Sequence, residues 1–350
     1  MKILQVIDTL DVGGAERIVV LLANLLHINN KSVSVIILVN DGDLIKELHP
    51  SISTLKLNRK KRFDFQKMKE FASIMDKFDV VHTHLKHNYR YTKLASMRYG
   101  KKKAKIILHD HSHNLLANRF TIKYYKDLLL KNIFKLEYYV GVSNENCAWG
   151  ISYLGVRKEH CFLLENTIEK LDVIQKPSTK VGAVMVSNIT PIKNIEFALD
   201  LVKEINEPLT IYGRIKDHGY YLKLKSIIKE NELTEKVTFV TNCSNIQEEL
   251  VKYKFAIHTS LKETGPLVLI EFLAQELPFV AFSSGQVFNT IGNVLPEFFI
   301  DTFNQANWIA KIKALSLVSS FKMKEIYEAN FSTETYLQKC LNIYQKTIDS

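Results

Sequence analysis

The chain has 350 residues, 46% of them hydrophobic and 24% charged, which is long enough for two domains of ordinary size with their own cores. The composition is that of a soluble globular protein, and it excludes a membrane-spanning one because no apolar run approaches the ~20 residues that cross a bilayer. The formal charge of +10 is uneven: residues 1–150 carry 25 Lys and Arg against 14 Asp and Glu, a net +11, and residues 151–350 carry 22 against 23, a net −1. Met1-Lys2 is followed by only five residues before Asp8, so no secretory leader is expected. Cys147, Cys161, Cys243 and Cys340 are scattered without a C-x-x-C pair, which points to reduced thiols and a cytoplasmic protein.

Lys2 to Ile7 reads as a first strand, and Gly13-Gly14-Ala15-Glu16-Arg17 as a glycine-rich turn into a helix from Ile18 to Leu26. Only small residues let a backbone come close to a ligand at such a turn. A second strand, Ser34 to Val39, precedes Asn40-Asp41-Gly42-Asp43. The D-x-D invites a metal, but a D-G turn into a helix from Leu44 to Leu48 accounts for it more simply. Arg59-Lys60-Lys61-Arg62 and Lys101-Lys102-Lys103-Ala104-Lys105 hold much of the basic excess. Such runs are solvated surface, or, more sharply, a face for an anionic membrane or a phosphate-bearing acceptor. No nucleic-acid motif accompanies them, so nucleic acid is not expected as a partner.

Asp79 to His84 is a strand with a histidine-rich end, and Ile106 to Asn114 is another strand running into polar residues. His109, His111 and His113 alternate and would share a face if that strand continued. A zinc site is conceivable there, though no Cys or spaced carboxylate completes the set. Tyr138 to Ser143 closes the first sheet. Residues 169–180, including Lys176-Pro177-Ser178-Thr179-Lys180, read as a linker between domains at 1–168 and 181–332. In the second domain a strand, Gly182 to Val186, leads through Ser187 to Asn194 into a helix from Ile195 to Ile205. Strands Leu209 to Gly213, Lys236 to Val240 and Phe255 to His258 follow, separated by helical segments such as Tyr220 to Glu230. This alternation predicts two parallel α/β sheets.

The stretch from Phe255 to Gly285 is the most telling. Its strand runs into a polar loop carrying Glu263, then Gly265 and Pro266 open a helix, with Pro at the first helical position and Gly at the cap. The body, Leu267 to Ala274, is apolar all round and must be buried, with Glu271 its one charge. A buried carboxylate needs donors, from the protein or from a ligand's hydroxyls. A helix starting at the carboxyl end of a parallel strand presents free N–H groups and a positive dipole end, which is an anion site. Phe279 to Phe282 is the next strand, and 333–350 ends the chain in an amphipathic helix.

Glu263 and Glu271 with seven residues between them, followed by A-x-x-L-P-x-V-A from Ala274 to Ala281, resemble the donor signature of retaining glycosyltransferases of the GT-B fold, family four, of the bacterial surface-polysaccharide type. G-G-A-E-R, D-V-V-H-T-H and the N-T-I-E that begins at Asn166 resemble other landmarks of that family, so the resemblance covers nearly the whole chain. It implies two Rossmann-like domains facing across a cleft, the last helix crossing back to the first. By that resemblance Glu263 faces the sugar and the reacting centre, Glu271 holds the ribose hydroxyls, and backbone from Thr264 through Gly265, Pro266 and Leu267 meets the diphosphate. Gly13 and Gly14 line the cleft, and His111, with His109 and His113 as alternatives, stands against the donor sugar. Where the family has Arg and Lys clamping the diphosphate, this chain has Asn188 and Lys193, with Arg214 as a second source of charge. Pro266 stands where the family often has Gly and removes one N–H.

The function the resemblance implies is metal-independent transfer of a sugar, with retention, from a nucleotide-diphosphate sugar to an acceptor hydroxyl. A UDP-sugar is the expected donor and no cofactor is expected. The expected acceptor is a glycan or lipid-linked sugar in surface-polysaccharide assembly, with an anionic inner membrane face as a further partner of the basic first domain. A nucleotide-sugar epimerase or phosphorylase of the same fold, or a non-catalytic nucleotide-sugar-binding protein, stands as the alternative.

Overall fold

The computed structural model describes residues 1–61, 64–101, 104–111, 122–174, 177–205, 207–243, 245–315 and 320–350. Arg62, Lys102, Lys103, His113, Asn114 and Lys176 lie outside them. The chain divides into Met1–Thr167 with Thr333–Ser350, and Ile168–Ser332.

The described residues of the first unit contain strands β1 (Lys2–Thr9), β2 (Ser32–Asn40), β3 (Ser53–Lys56), β4 (Val80–His84), β5 (Lys105–Asp110), β6 (Tyr138–Gly141) and β7 (Cys161–Leu163). They form one parallel sheet in the order β3-β2-β1-β4-β5-β6-β7. Helices cover both faces of such a sheet, so its inner strands read as unbroken apolar runs, as Val35 to Leu38 does. The final helix, Thr333–Asp349, belongs to this unit: Gln5 Nε2 of β1 donates to Tyr344 Oη at 2.9 Å.

The second unit holds β8 (Ala183–Val186), β9 (Leu209–Tyr212), β10 (Val237–Val240), β11 (Phe255–His258), β12 (Phe279–Phe282) and β13 (Phe299–Ile300), all parallel, in the order β10-β9-β8-β11-β12-β13. Its core runs through Leu199, Ile257, Phe272, Phe279 and Trp308. Both orders reverse direction beside their first strand, and at that switch point the carboxyl ends of parallel strands leave a crevice for ligands. The crevice lies between β1 and β4 in one unit and between β8 and β11 in the other.

Four local expectations change. The strand expected to reach Asn114 stops at Asp110, because its neighbour β6 ends at Gly141, the residue paired with Asp110. The segment expected as a helix from Leu44 is a 3-10 helix, Asp43–Glu47, whose Leu44 N–H is taken by Leu10 O at 3.0 Å. Asp41 of the D-x-D pairs with Lys56. The helix expected to contain Pro266 begins one residue later, at Leu267, since Pro266 keeps an extended ψ of 110° as the cap. Residues following Thr167, expected as linker, pack within the second unit: Leu171 N–H donates to Gln247 Oε1 at 3.0 Å, and Gln275 Nε2 donates to Leu171 O at 2.8 Å.

Candidate active site

The crevice of the second unit is built from two loops that follow β8 and β11. After β8 the chain makes a 3-10 turn, Pro191–Lys193, and Asn194 enters the left-handed region at φ 50° to start the helix Ile195–Glu204. After β11, Thr259 Oγ1 donates to the carbonyls of Lys193 and Asn194, each at 2.9 Å, and Leu261 N–H donates to Ile192 O at 2.9 Å. These bonds lock one loop to the other. They bring Lys193 Nζ to 2.6 Å from Glu263 Oε1, and His258 Nε2 to 3.1 Å from the same oxygen.

Glu263 is 9% exposed. Burial pushes its carboxyl up, but the His258 hydrogen bond and charge, then Lys193, more than offset this and hold it well below the usual carboxylate range. It is therefore ionised at neutral pH, beside a lysine with two further N–H groups to give. His258, at the carboxyl end of a fully buried strand, was not singled out by sequence reasoning; the polar residue closing F-A-I-H is the signal that could have found it.

Glu271 is buried one turn into the helix Leu267–Ala274, as an apolar surround required. The helix has no side-chain cap, so the N–H groups of its first turn, Leu267 to Leu269, are the orphan donors of that end. Pro266, as the cap, removes only the cap's own N–H. Thr264 is buried and Gly265 half-buried in the same loop, and Thr264 O accepts from Gln286 N–H at 2.7 Å. Asn188 and Arg214 are exposed on adjoining loops, tied by Ile189 N–H to Arg214 O at 2.9 Å.

The Glu263 loop rests on Gly285, whose φ is +80°; a Cβ there would sit 2.9 Å from Glu263 Cβ. A left-handed, contacting side chain costs about 1–3 kcal/mol. Gly285→Ala is expected to lower unfolding stability by about that amount in urea melts, and an unchanged midpoint would show that the loop is not held this way.

His111, Gly13 and Gly14 belong to the first unit. Gly13 caps the helix Gly14–Ile28 in extended conformation, with the Glu16 carboxylate folded back over it, and Gly14 is exposed. His111 follows β5, its ring tilted against that of His109 with centroids 4.1 Å apart, and its Nε2 3.0 Å from His84 Nδ1. The parallel register pairs Gln5 with His82 and His84 with His109, so the four share one face. His84 Nε2 lies 2.6 Å from Gln5 Oε1, and His82 Nδ1 lies 2.6 Å from Tyr344 Oη. Burial lowers His82 to about 3 and His111 to about 4, and takes His84 and His109 well below the ordinary imidazole range, with neighbouring imidazoles adding to it. All four are neutral at pH 7.

Sequence reasoning noted the H-x-H of β4 as a histidine-rich strand end but gave it no role, and weighed only the later histidines as site residues. Ligand nitrogens of His82, His84 and His109 lie within 4.8 Å of one another. Among the described residues the trio close enough for a metal thus spans two strands, while His113 of the trio weighed for zinc from spacing lies outside them. Both nitrogens of His84 already have partners, whereas His82 Nε2 and both nitrogens of His109 have none among the described residues.

Residues 12–169 match the family model Glycosyltransferase Family 4, and residues 166–330 match Glycosyl transferases group 1. Both halves of the chain belong to glycosyltransferase families. The fold is the GT-B fold of these transferases, and solved structures share it along the full length. A glycosyltransferase from Rickettsia africae is 20% identical with a TM-score of 0.77, covering 100% of this chain and 99% of its own. Anabaena HepE, solved with UDP and also with UDP-glucose, is 17% identical in the UDP complex with a TM-score of 0.80, covering 99% and 100%. The lipopolysaccharide outer core galactosyltransferase WaaB is 14% identical with a TM-score of 0.69, covering 98% and 99%. No curated protein matches the sequence. In this glycosyltransferase the group-1 half carries the Lys193–Glu263–His258 group and Glu271, and the family-4 half the histidine face. The four cysteines are free thiols, and no helix among the described residues is long and apolar enough to cross a membrane.

Proposed function

We propose that the protein is a retaining, metal-independent glycosyltransferase that moves a sugar from a nucleotide-diphosphate donor, a UDP-sugar first, to an acceptor hydroxyl. The observation that carries this reading is Lys193 held at 2.6 Å on an ionised, buried Glu263 at the switch-point crevice of the second unit. The lysine keeps two N–H groups for the departing diphosphate, and the first-turn amides of the helix Leu267–Ala274 add their dipole. Glu271 takes the ribose hydroxyls, and Glu263 faces the sugar. With its charge tied to Lys193 and His258, Glu263 is suited to orienting the transferring sugar and does not form a hydrolase carboxylate pair with Glu271. The UDP and UDP-glucose bound by HepE support the choice of donor.

The acceptor in this reading is a lipid-linked glycan of surface-polysaccharide assembly, reached by a cytoplasmic protein at the inner membrane face. The net +11 of residues 1–150 supports that placement, and the lipopolysaccharide role in WaaB's name is of the same kind.

Calorimetry with UDP tests the donor site. Glu271→Ala is expected to weaken UDP by about 1–3 kcal/mol, as a charged acceptor of hydroxyl hydrogen bonds is lost. Wild-type affinity in a folded variant would remove Glu271 from the ribose. In the same preparation, turnover of donor with acceptor should persist in EDTA. Activity lost to EDTA and restored by zinc would instead implicate His82, His84 and His109, and by magnesium or manganese Asp41 and Asp43.

A further inference from the structure

Two of the four cysteines meet in the first unit. Cys147 lies in the first turn of the helix Asn144–Ser152, where its N–H donates to Ser143 O at 3.0 Å. Cys161, 14 positions further on, is the first residue of β7 and pairs with Tyr139 of β6. Cys147 Sγ donates to Phe162 O at 3.4 Å, and Cys161 Sγ lies 3.6 Å from Cys147 O. Each sulfur thus rests on the backbone of the other's element.

The meeting follows from local structure. β6 ends at Gly141, and Ser143 caps the helix that leaves it, its side chain accepting from Asn146 N–H. A Cβ on Gly141 would sit 3.0 Å from Cys147 Sγ, so the glycine leaves the sulfur its room beside the sheet. Both cysteines are half-buried. The Cys161 thiol also donates to the Cys147 sulfur, which lowers the Cys147 thiol below its ordinary value and raises that of Cys161. Thiolate character therefore gathers on Cys147, at the positive end of a helix dipole, while Cys161 keeps its proton.

Thiols that only fill a core lie among apolar side chains and need no second thiol. This pair has sulfur facing sulfur, with one partner suited to attack and the other to resolve. We propose that Cys147 and Cys161 are a reversible oxidation site that a hydroperoxide converts to a disulfide. The Cys147 sulfur attacks one oxygen of hydrogen peroxide and the O–O bond breaks. That oxygen stays on the sulfur as a sulfenic acid, and the other leaves as water with the thiol proton. The Cys161 sulfur then attacks the Cys147 sulfur, the S–O bond breaks, and the second oxygen leaves as water with the Cys161 proton. Two thiols give up two electrons and the peroxide takes them. The new bond pins the helix Asn144–Ser152 to β7, and it stands independently of the transferase reading.

Mass-spectrometric peptide mapping of the full chain, treated with hydrogen peroxide and then blocked at its free thiols, tests it. A cross-linked peptide pair holding Cys147 and Cys161 is expected, outnumbering every other cysteine pairing at least about tenfold. Dithiothreitol should release it. Cys243, exposed in the second unit, and Cys340, buried in the last helix, are controls within the same chain and should stay out of the cross-link. In Cys161→Ser, dimedone should label Cys147, because the sulfenic acid then has no thiol to resolve it. Cys147 and Cys161 both recovered as free thiols after peroxide has oxidised Cys243 would overturn the proposal. So would a cross-link scattered among all four cysteines, which would mean chance collision and not a built pair. Because the mapping of the unaltered protein needs no substitution, a variant that fails to fold does not shelter the proposal from either result.

Discussion

Lys193→Ala is expected to lower turnover about 10²–10³-fold, the usual cost of removing one group that stabilises charge as a bond breaks. The ammonium has two tasks. It neutralises Glu263 at 2.6 Å in the resting site, and it meets the negative charge that grows as the diphosphate leaves. Because the second task arises only in the transition state, kcat should fall more than KM rises. Stability should suffer less than for a fully buried ion pair: the lysine side chain is 21% exposed, and His258 still faces the carboxylate. Steady-state kinetics beside urea melts separate the two effects. If kcat stays within about threefold of wild type, the clamp is not Lys193, and Arg214 on the neighbouring loop becomes the residue to replace.

Acid should unfold the first unit well before ordinary carboxylates titrate. His82, His84 and His109 are fully buried, and burial lowers each of them below the unfolded value near 6.5. A depressed imidazole is neutral when folded and protonated when unfolded. Its contribution is therefore fully present above about pH 6.5 and is lost as pH falls below that. Three such groups approach a loss of about 4 kcal/mol per pH unit, each proton contributing about 1.4. The loss continues until the folded values, about 3 for His82, are reached. Glu263, depressed as a carboxylate, adds its own loss only below its ordinary range near 4.5.

The two tryptophans report the units separately, Trp149 in the first and Trp308 in the second. Denaturant melts of wild type and Trp149→Phe between pH 7 and 5 check the expectation. The transition lost with Trp149 should move steeply with pH while the remaining one holds. His109→Leu should flatten that dependence by one proton. A Trp149 transition indifferent to pH would mean that the cluster is hydrated or charged in the folded protein.

Much of the fold was legible because its signals are local. Buried parallel strands announce themselves as short apolar runs, and the intervening amphipathic segments can only be crossover helices. The apolar helix Leu267–Ala274 was readable to the residue in its body, and with it the need to satisfy a buried Glu271. Its start was read one residue early, because Pro266 suits both a cap and a first turn and only the backbone chooses between them.

What the sequence could not determine is which strand ends meet. In a parallel sheet each neighbour returns only after a crossover, so register between strands is invisible to any local window. Lys193 and Glu263 were read as separate donor-site residues; the switch point between β8 and β11 makes them one ion pair, with His258 on the same oxygen. His109, His111 and His113 were read as one alternating face of one strand. The sheet ends that strand at Asp110 and instead sets His109 beside His84 of β4, with Tyr344 of the last helix closing on His82. The basic runs were visible as charge, but that Arg59 and its neighbours share a cavity with Arg90, Lys126, Leu94, Leu129 and Phe134 depends on the loop after β3 and two helices far apart in sequence lining one space. Sequence periodicity determined the elements and the single buried charges; strand order and register, set by burial across the whole sheet, decided which of those charges stand together.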